Sequence, residues 1–135
     1  MGRPVLILVD THIVLWLALE PERISKRVQA VIDEARQNGA GLAISAMTLV
    51  EIATLFGKRR FSLAMSLESF LDELERKFVV LPISARVCAR MLSLPAGYPK
   101  DPADRVIGAT ALVEGMGLIT ADREIRRAKV VRTIW

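Results

Sequence analysis

The sequence predicts an α/β fold in which a five-stranded parallel sheet is covered by helices on both faces. Three observations lead there. Short apolar runs rich in branched residues, such as Val5–Val9, read as strands buried on both faces. Between them lie segments whose apolar residues recur at helical period, and strands that alternate with helices imply parallel pairing. The 135 residues, 52% of them hydrophobic, suffice for one core and argue against disorder.

The elements follow in order. After Val5–Val9 comes a helix from about Ile13 to Ala18. Ser25 caps the next helix, on which Val28, Val31, Ile32 and Ala35 recur and which Gly39 stops. Leu42–Ser45 is the second strand and leads into a helix through Leu55. Ser66 caps a helix with Leu67, Phe70, Leu71 and Leu74 on one face, and Phe78–Leu81 is the third strand, ended by Pro82. A helix from Ser84 carries Val87, Cys88 and Met91, and Pro95, Gly97 and Pro99 mark a loop. Asp101-Pro102 opens another helix, since proline suits the first helical position, and Gly115 and Gly117 end it. Leu118–Thr120 is the fourth strand and, after a short helix, Val130–Ile134 the fifth. No repeat or Gly/Ser linker divides the chain, so residues 1–135 read as one domain.

Composition excludes several classes. Cys88 is the single cysteine, so no intramolecular disulfide can form and a reducing, cytoplasmic setting fits. Its apolar helix assigns it to packing. With one cysteine and one histidine, His12, a cysteine zinc cluster and a multi-histidine centre are both ruled out. Neither Val5–Val9 nor Ile13–Leu19 reaches the roughly 18 residues needed to span a bilayer. Arg3 before an apolar run resembles a signal peptide, but Asp10 and His12 would interrupt its hydrophobic segment and no cleavage site follows. A net charge of +4 and a pI near 9.7 favour a polyanionic partner, though many basic domains bind no nucleic acid.

The acids carry the chemistry. Asp10 follows the first strand and Asp122 lies two residues beyond the fourth, at the carboxyl ends of strands where open α/β sheets bind ligands. Glu51 lies in the helix after the second strand, and Asp104 in the first turn of the helix before the fourth. Four carboxylates on one rim repel one another unless a cation neutralises them. Hard oxygen ligands suit Mg²⁺ or Mn²⁺, and such ions promote phosphodiester hydrolysis without cysteine or histidine. Each acid also has a plainer role. Asp10, Asp101 and Asp122 can cap the helices that follow them. Thr48-Leu49-Val50-Glu51 matches a capping box, although Ala46 and Met47 extend the apolar pattern upstream and point to Ser45 as the cap.

These residues resemble those of a known family. Val9-Asp10-Thr11-His12-Ile13-Val14-Leu15-Trp16 is similar to the opening motif of VapC-type PIN domains. Ser45-Ala46 through Val50-Glu51-Ile52 resembles the second motif. Asp101-Pro102-Ala103-Asp104-Arg105, with Ile107, Ala109 and Ala111, resembles the third. Leu118-Ile119-Thr120-Ala121-Asp122 resembles the fourth, and Val131–Trp135 the closing strand. The resemblance implies a sheet of order 3-2-1-4-5 and an acidic site of Asp10, Glu51, Asp104 and Asp122. It further implies Mg²⁺- or Mn²⁺-dependent cleavage of RNA, inhibition by a small cognate antitoxin, and a homodimer. The chain departs from the pattern in three places. Tyr98-Pro99-Lys100 stands where many relatives carry a histidine, Gly108 where bulkier residues are common, and Thr110 where glutamine is common.

Other residues have two roles open to them. Thr11 and Thr120 can hydrogen-bond a site carboxylate or serve as turn residues, and Asp101 can support the site as a cap that also pairs with Arg105. Small residues at Gly108 and Ala111, in line with Asp104, would let their helix pack closely against a strand. His12 reads as a polar contact at a helix start and Trp16 as core. Among the basic groups, Lys58-Arg59-Arg60 reads as a solvated face, whereas Arg123, Arg126 and Arg127 lie close enough to the rim to hold RNA against its acids. The alternative function is a non-catalytic PIN-like module that binds RNA or protein. Other Asp-based phosphotransfer folds fail on particular residues. A haloacid-dehalogenase-like phosphatase needs an acid at His12, and a receiver domain needs one after the third strand, where Pro82 and Ser84 stand.

Overall fold

Strands β1 (Ile7–Val9), β2 (Leu42–Ser45), β3 (Val79–Leu81), β4 (Leu118–Ile119) and β5 (Thr133–Ile134) form one sheet in the computed structural model, which describes residues 6–39 and 41–135. Every pairing is parallel and the order is β3-β2-β1-β4-β5, as expected. The connecting helices are α1 (Thr11–Leu19), α2 (Lys26–Gln37), α3 (Ala46–Gly57), α4 (Leu67–Lys77), α5 (Ala85–Leu92), α6 (Pro102–Glu114) and α7 (Arg123–Ala128). A 3-10 turn at Pro21–Arg23 adds to the elements expected from the sequence.

The two-residue period of the strands sorts the core into two layers. Val9, Leu42, Ile44 and Ile119 face one side and pack with Ile13, Val28, Ile32, Ile52, Phe70 and Leu74 from α1 to α4. Leu8, Ala43 and Leu118 face the other, against Ile107 and Ala111 of α6 and Ile125 of α7. Helix α5 joins this layer through Val87, which meets Val106 and Ala109 of α6. Burial of each such aliphatic side chain contributes about 1.5–3 kcal/mol.

Serines start most of the helices, and their geometry resolves the choice over α3. The Ser45 hydroxyl accepts from the Met47 amide, so Ser45 is the cap and Glu51 falls in the second turn. Ser25, Ser66 and Ser84 cap α2, α4 and α5 in the same way.

Several boundaries differ from expectation. Val5 lies outside the described residues, and β1 is described from Ile7. Phe78 closes α4 with its amide on the Leu74 carbonyl, which leaves Val79 to begin β3. Strand β5 is two residues rather than five because its sole neighbour, β4, is itself two residues long. Cys88 is exposed rather than packed. Val87 points into the core, and the next residue on a helix is turned about 100° away.

Candidate active site

The order of the strands sets a topological switch point between β1 and β4. From β1 the chain steps outward to β2 and β3, then returns to β4 and β5 on the far side. Ligand crevices in open parallel sheets lie where the order reverses, here between the carboxyl ends of β1 and β4. Asp10 leaves β1 and Asp122 follows β4, so both flank this point.

Asp10 is 3% exposed and held at both oxygens. Its Oδ1 accepts from the Thr11 amide at 2.9 Å, which caps α1. Its Oδ2 accepts from the Thr120 hydroxyl at 2.8 Å. The same Thr120 oxygen accepts from the Asp122 amide at 3.1 Å. One hydroxyl thereby ties the ends of β1 and β4 together. Asp122 in turn caps α7, with Oδ1 accepting from the Glu124 and Ile125 amides. Capping and membership of the rim are thus compatible in both residues.

His12 joins the same two strand ends. Its Nε2 accepts from the Ala121 amide at 3.0 Å, and its Nδ1 stands 3.7 Å from Asp10 Oδ2. An accepting Nε2 places the proton on Nδ1, facing the carboxylate. Burial lowers the histidine's pKa against the opposing pull of Asp10 and Asp122. Trp16 is half-buried and packs against the core layer of α1 to α4, as expected, while its ring also reaches the edge of the site. Its ring meets His12 at 5.1 Å and Trp135 at 5.8 Å, with the Arg23 guanidinium 4.0 Å from its centre.

The other two acids arrive on helices. Glu51 is half-buried on α3, and burial raises its pKa, offset by the Thr11 hydroxyl and reinforced by Asp10 and Asp101. Thr11 and Thr48 share a hydrogen bond of 3.0 Å that joins α1 to α3. Asp104 is pushed up to about 7, first by burial and then by the charges of Asp10, Asp101, Glu51 and Asp122. The other three expected acids are therefore all within electrostatic reach of Asp104. Among the described residues, no three acid, histidine or cysteine side chains already close on one point at metal-ligand spacing. The donor set still fits a hard cation that keeps several of its own waters and reaches carboxylates partly through them. A cation there would relieve the repulsion that raises Asp104.

The third motif divides as its sequence suggests, with one correction. Asp101 is exposed and caps α6 by accepting from the Asp104 amide at 3.2 Å. Arg105 does not pair with it. The guanidinium lies 3.2 to 3.5 Å from the carbonyls of Met91, Leu94, Pro95 and Tyr98, donating to each and binding the loop before α6. Four carbonyls gathered around one guanidinium are a stronger attraction than one solvated carboxylate.

Gly108 does not bring α6 close to a strand, as its size suggests. It faces Tyr98 instead, and a Cβ at 108 would overlap the phenol hydroxyl and lie 2.6 Å from Cζ. Two departures from the family pattern, the tyrosine and the glycine, are therefore one feature. Both are visible in the sequence, but ten residues and a turn of loop separate them and hide the link.

Arg123, Arg126 and Arg127 are exposed on α7, immediately after Asp122. With Lys129 they line a shallow cleft along α7. No described helix is long and apolar enough to cross a membrane.

Comparison with known proteins agrees with this geometry. The family model described as PIN domain matches residues 7–131. Ribonuclease VapC22 of Mycobacterium tuberculosis is 35% identical over 131 residues, covering 96% of this chain and 98% of that protein. Among solved structures, VapBC2 of Rickettsia felis bound to a promoter DNA fragment superposes with a TM-score of 0.73 at 17% identity. That match covers 96% of this chain and 98% of the other. A toxin–antitoxin complex from Klebsiella pneumoniae gives 0.66 at 20% identity, covering 96% of each. A sheet of this order, acids at its switch point and a relative matched from end to end agree: the chain belongs to the PIN-domain family, within its VapC type.

Proposed function

We propose that the protein is a divalent-metal-dependent endoribonuclease, the toxin of a toxin–antitoxin pair. The observation that carries the proposal is Asp104, raised to about 7 by burial and by the charges of four other acids around it. A cluster so disfavoured without a cation is what a metal-dependent phosphodiesterase requires.

In this mechanism Asp10, Glu51, Asp104 and Asp122 would hold a Mg²⁺ or Mn²⁺ ion, which would supply charge neutralisation and Lewis acidity to the phosphodiester. Thr120 fixes Asp10 through Oδ2, and Thr11 fixes it through the amide at Oδ1, so this carboxylate keeps one orientation. Thr11 also lowers the pKa of Glu51 and favours its charged form. Asp101 acts at one remove, by capping the helix that presents Asp104. Arg123, Arg126 and Arg127 attract the RNA backbone and offset the negative rim.

The Mycobacterium tuberculosis relative is named a ribonuclease, and the Klebsiella pneumoniae neighbour is a toxin–antitoxin complex. These support RNA as substrate and a small antitoxin as partner. Leu92 and Val50 stand 84% and 54% exposed, which supports coverage of apolar surface by the antitoxin or by a second copy in a homodimer. Incubating purified protein with total RNA tests the activity. Cleavage should require Mg²⁺ or Mn²⁺ and stop with a chelator. Equal cutting in excess EDTA, by protein free of contaminating nuclease, or RNA binding with no metal-dependent turnover, would overturn the proposal.

A further inference from the structure

The 3-10 turn after α1 seats an arginine on a tryptophan. Trp16 is fixed by its packing against the core layer of α1 to α4. The chain then turns back, with the Glu20 amide donating to the Trp16 carbonyl just before Pro21–Arg23. Arg23 is thereby carried over the indole, its guanidinium carbon 4.0 Å from the ring centre, and Nη1 donates to Glu20 Oε2 at 3.4 Å. Among the described residues it is the one arginine held over an aromatic ring. Its side chain is nevertheless 51% exposed, so the seat leaves much of the guanidinium open.

The seat adjoins the acidic rim. The ring under Arg23 lies 5.1 Å from that of His12, and His12 stands 3.7 Å from Asp10. Two side chains therefore link Arg23 to the carboxylate at the end of β1. Trp135 adds a second indole to this corner, 5.8 Å from Trp16. The pairing with Glu20 decides what Arg23 can hold. A carboxylate beside the guanidinium offsets its charge and competes with a phosphate for the same N–H groups. Those N–H groups lie in the guanidinium plane, so the pairing does not cover the outer face. Guanidinium planes stack on the exposed bases of single-stranded RNA. One already ordered on an indole loses little further freedom when a base is added to the stack.

We propose that Arg23, on its Trp16 seat, is a stacking platform for an unpaired nucleobase of the RNA, beside the phosphodiester that the carboxylates address. This rests on the ribonuclease reading above and adds to it a subsite for bases. Arg123, Arg126 and Arg127 attract the backbone as exposed charges, without regard to the base. The Arg23 platform instead favours segments whose bases are unpaired, since a base inside a duplex has no face to offer.

The test is Arg23→Lys, which keeps the charge and removes the plane. Two fluorescein-labelled probes of about eight nucleotides are compared, a single-stranded RNA and the same ribose-phosphate chain without bases. Each is titrated with protein at low salt in EDTA, and the Kd is read by fluorescence anisotropy. Wild type should prefer the probe with bases. Arg23→Lys should reduce that preference about tenfold, with the Kd for the baseless chain and the melting temperature unchanged. A preference kept within about twofold of wild type overturns the proposal. So does an equal loss of affinity for both probes, which marks a phosphate contact, or a lowered melting temperature, which marks a role in the fold. If wild type shows no preference yet cuts total RNA with Mn²⁺, this inference falls alone. If wild type cuts no RNA, the ribonuclease reading falls and this inference with it.

Discussion

The two halves of the acidic rim are built on opposite terms. At the strand ends, Asp10 is bonded at both oxygens and Asp122 at one. Asp10 receives the Thr11 amide and the Thr120 hydroxyl, and Asp122 receives two amides of α7. On the helices, Asp104 has no such support, and only burial and neighbouring charge act on its carboxyl. The strand-end acids would keep their places in a protein that never met a metal. The helix-borne acid is stabilised by nothing the chain itself provides. Under the proposed function, scaffold and site overlap at Asp10 and separate at Asp104.

Substitutions should divide along that line. Asp10→Asn should have the largest effect, removing cleavage by at least about 100-fold. It should also cost about 1 kcal/mol of stability, because an amide cannot accept from both partners. Turnover and a denaturant melt check it, and full stability in this variant would break the comparison. Asp104→Asn should lose a similar share of activity and nearly all Mn²⁺ affinity, yet melt at or above the wild-type temperature without metal. A destabilised Asp104→Asn protein would show that this acid, too, is part of the scaffold.

The dependence on pH sharpens the same point. The folded-state pKa of Asp104, about 7, lies above its ordinary value of 3.8. Its contribution to stability is therefore fully present below pH 3.8 and lost as pH rises through about 7. Glu51 runs in the same direction. His12, shifted down, runs opposite: its contribution is present above pH 6.5 and lost as pH falls through its lowered value. Subtracting the melting curves of Asp104→Asn from wild type isolates the aspartate. Without metal, the variant should be the more stable at about pH 8, and the gap should close towards about pH 4. A gap constant across that range would remove the charge argument. The smallest effect belongs to Asp101→Asn, which should retain appreciable activity and cost at most about 1 kcal/mol, since asparagine caps nearly as well. If this variant lost Mn²⁺ binding and Asp104→Asn kept it, the roles of the two acids would be exchanged.

Much of this architecture is legible in the amino-acid sequence. The strands announce themselves by branched apolar runs and the helices by serine caps and helical period, both of which are local signals. Asp10 sits one residue and Asp122 three residues beyond a strand, and Asp104 lies in the first turn of a helix, so their places follow from their elements. What the sequence hides is set by partners distant along the chain. Arg105 has Asp101 four residues away, the ordinary helical spacing for an ion pair, but its choice of loop carbonyls depends on how the chain before α6 folds back. Cys88 shares an apolar helix with Val87 and differs only in direction. His12 accepts from Ala121, 109 positions later, a contact that no local pattern encodes.

The aromatic corner beside the rim has an optical consequence. The protein contains two tryptophans, Trp16 and Trp135, and they lie against each other. Trp16 also touches His12, whose other side faces Asp10. The tryptophan fluorescence of the molecule therefore originates in one aromatic corner, which reaches Asp10 through His12. Emission should respond to events at the rim before it responds to unfolding elsewhere. Metal binding, RNA binding and the state of His12 can each be followed in unlabelled protein, with the molecule acting as its own indicator.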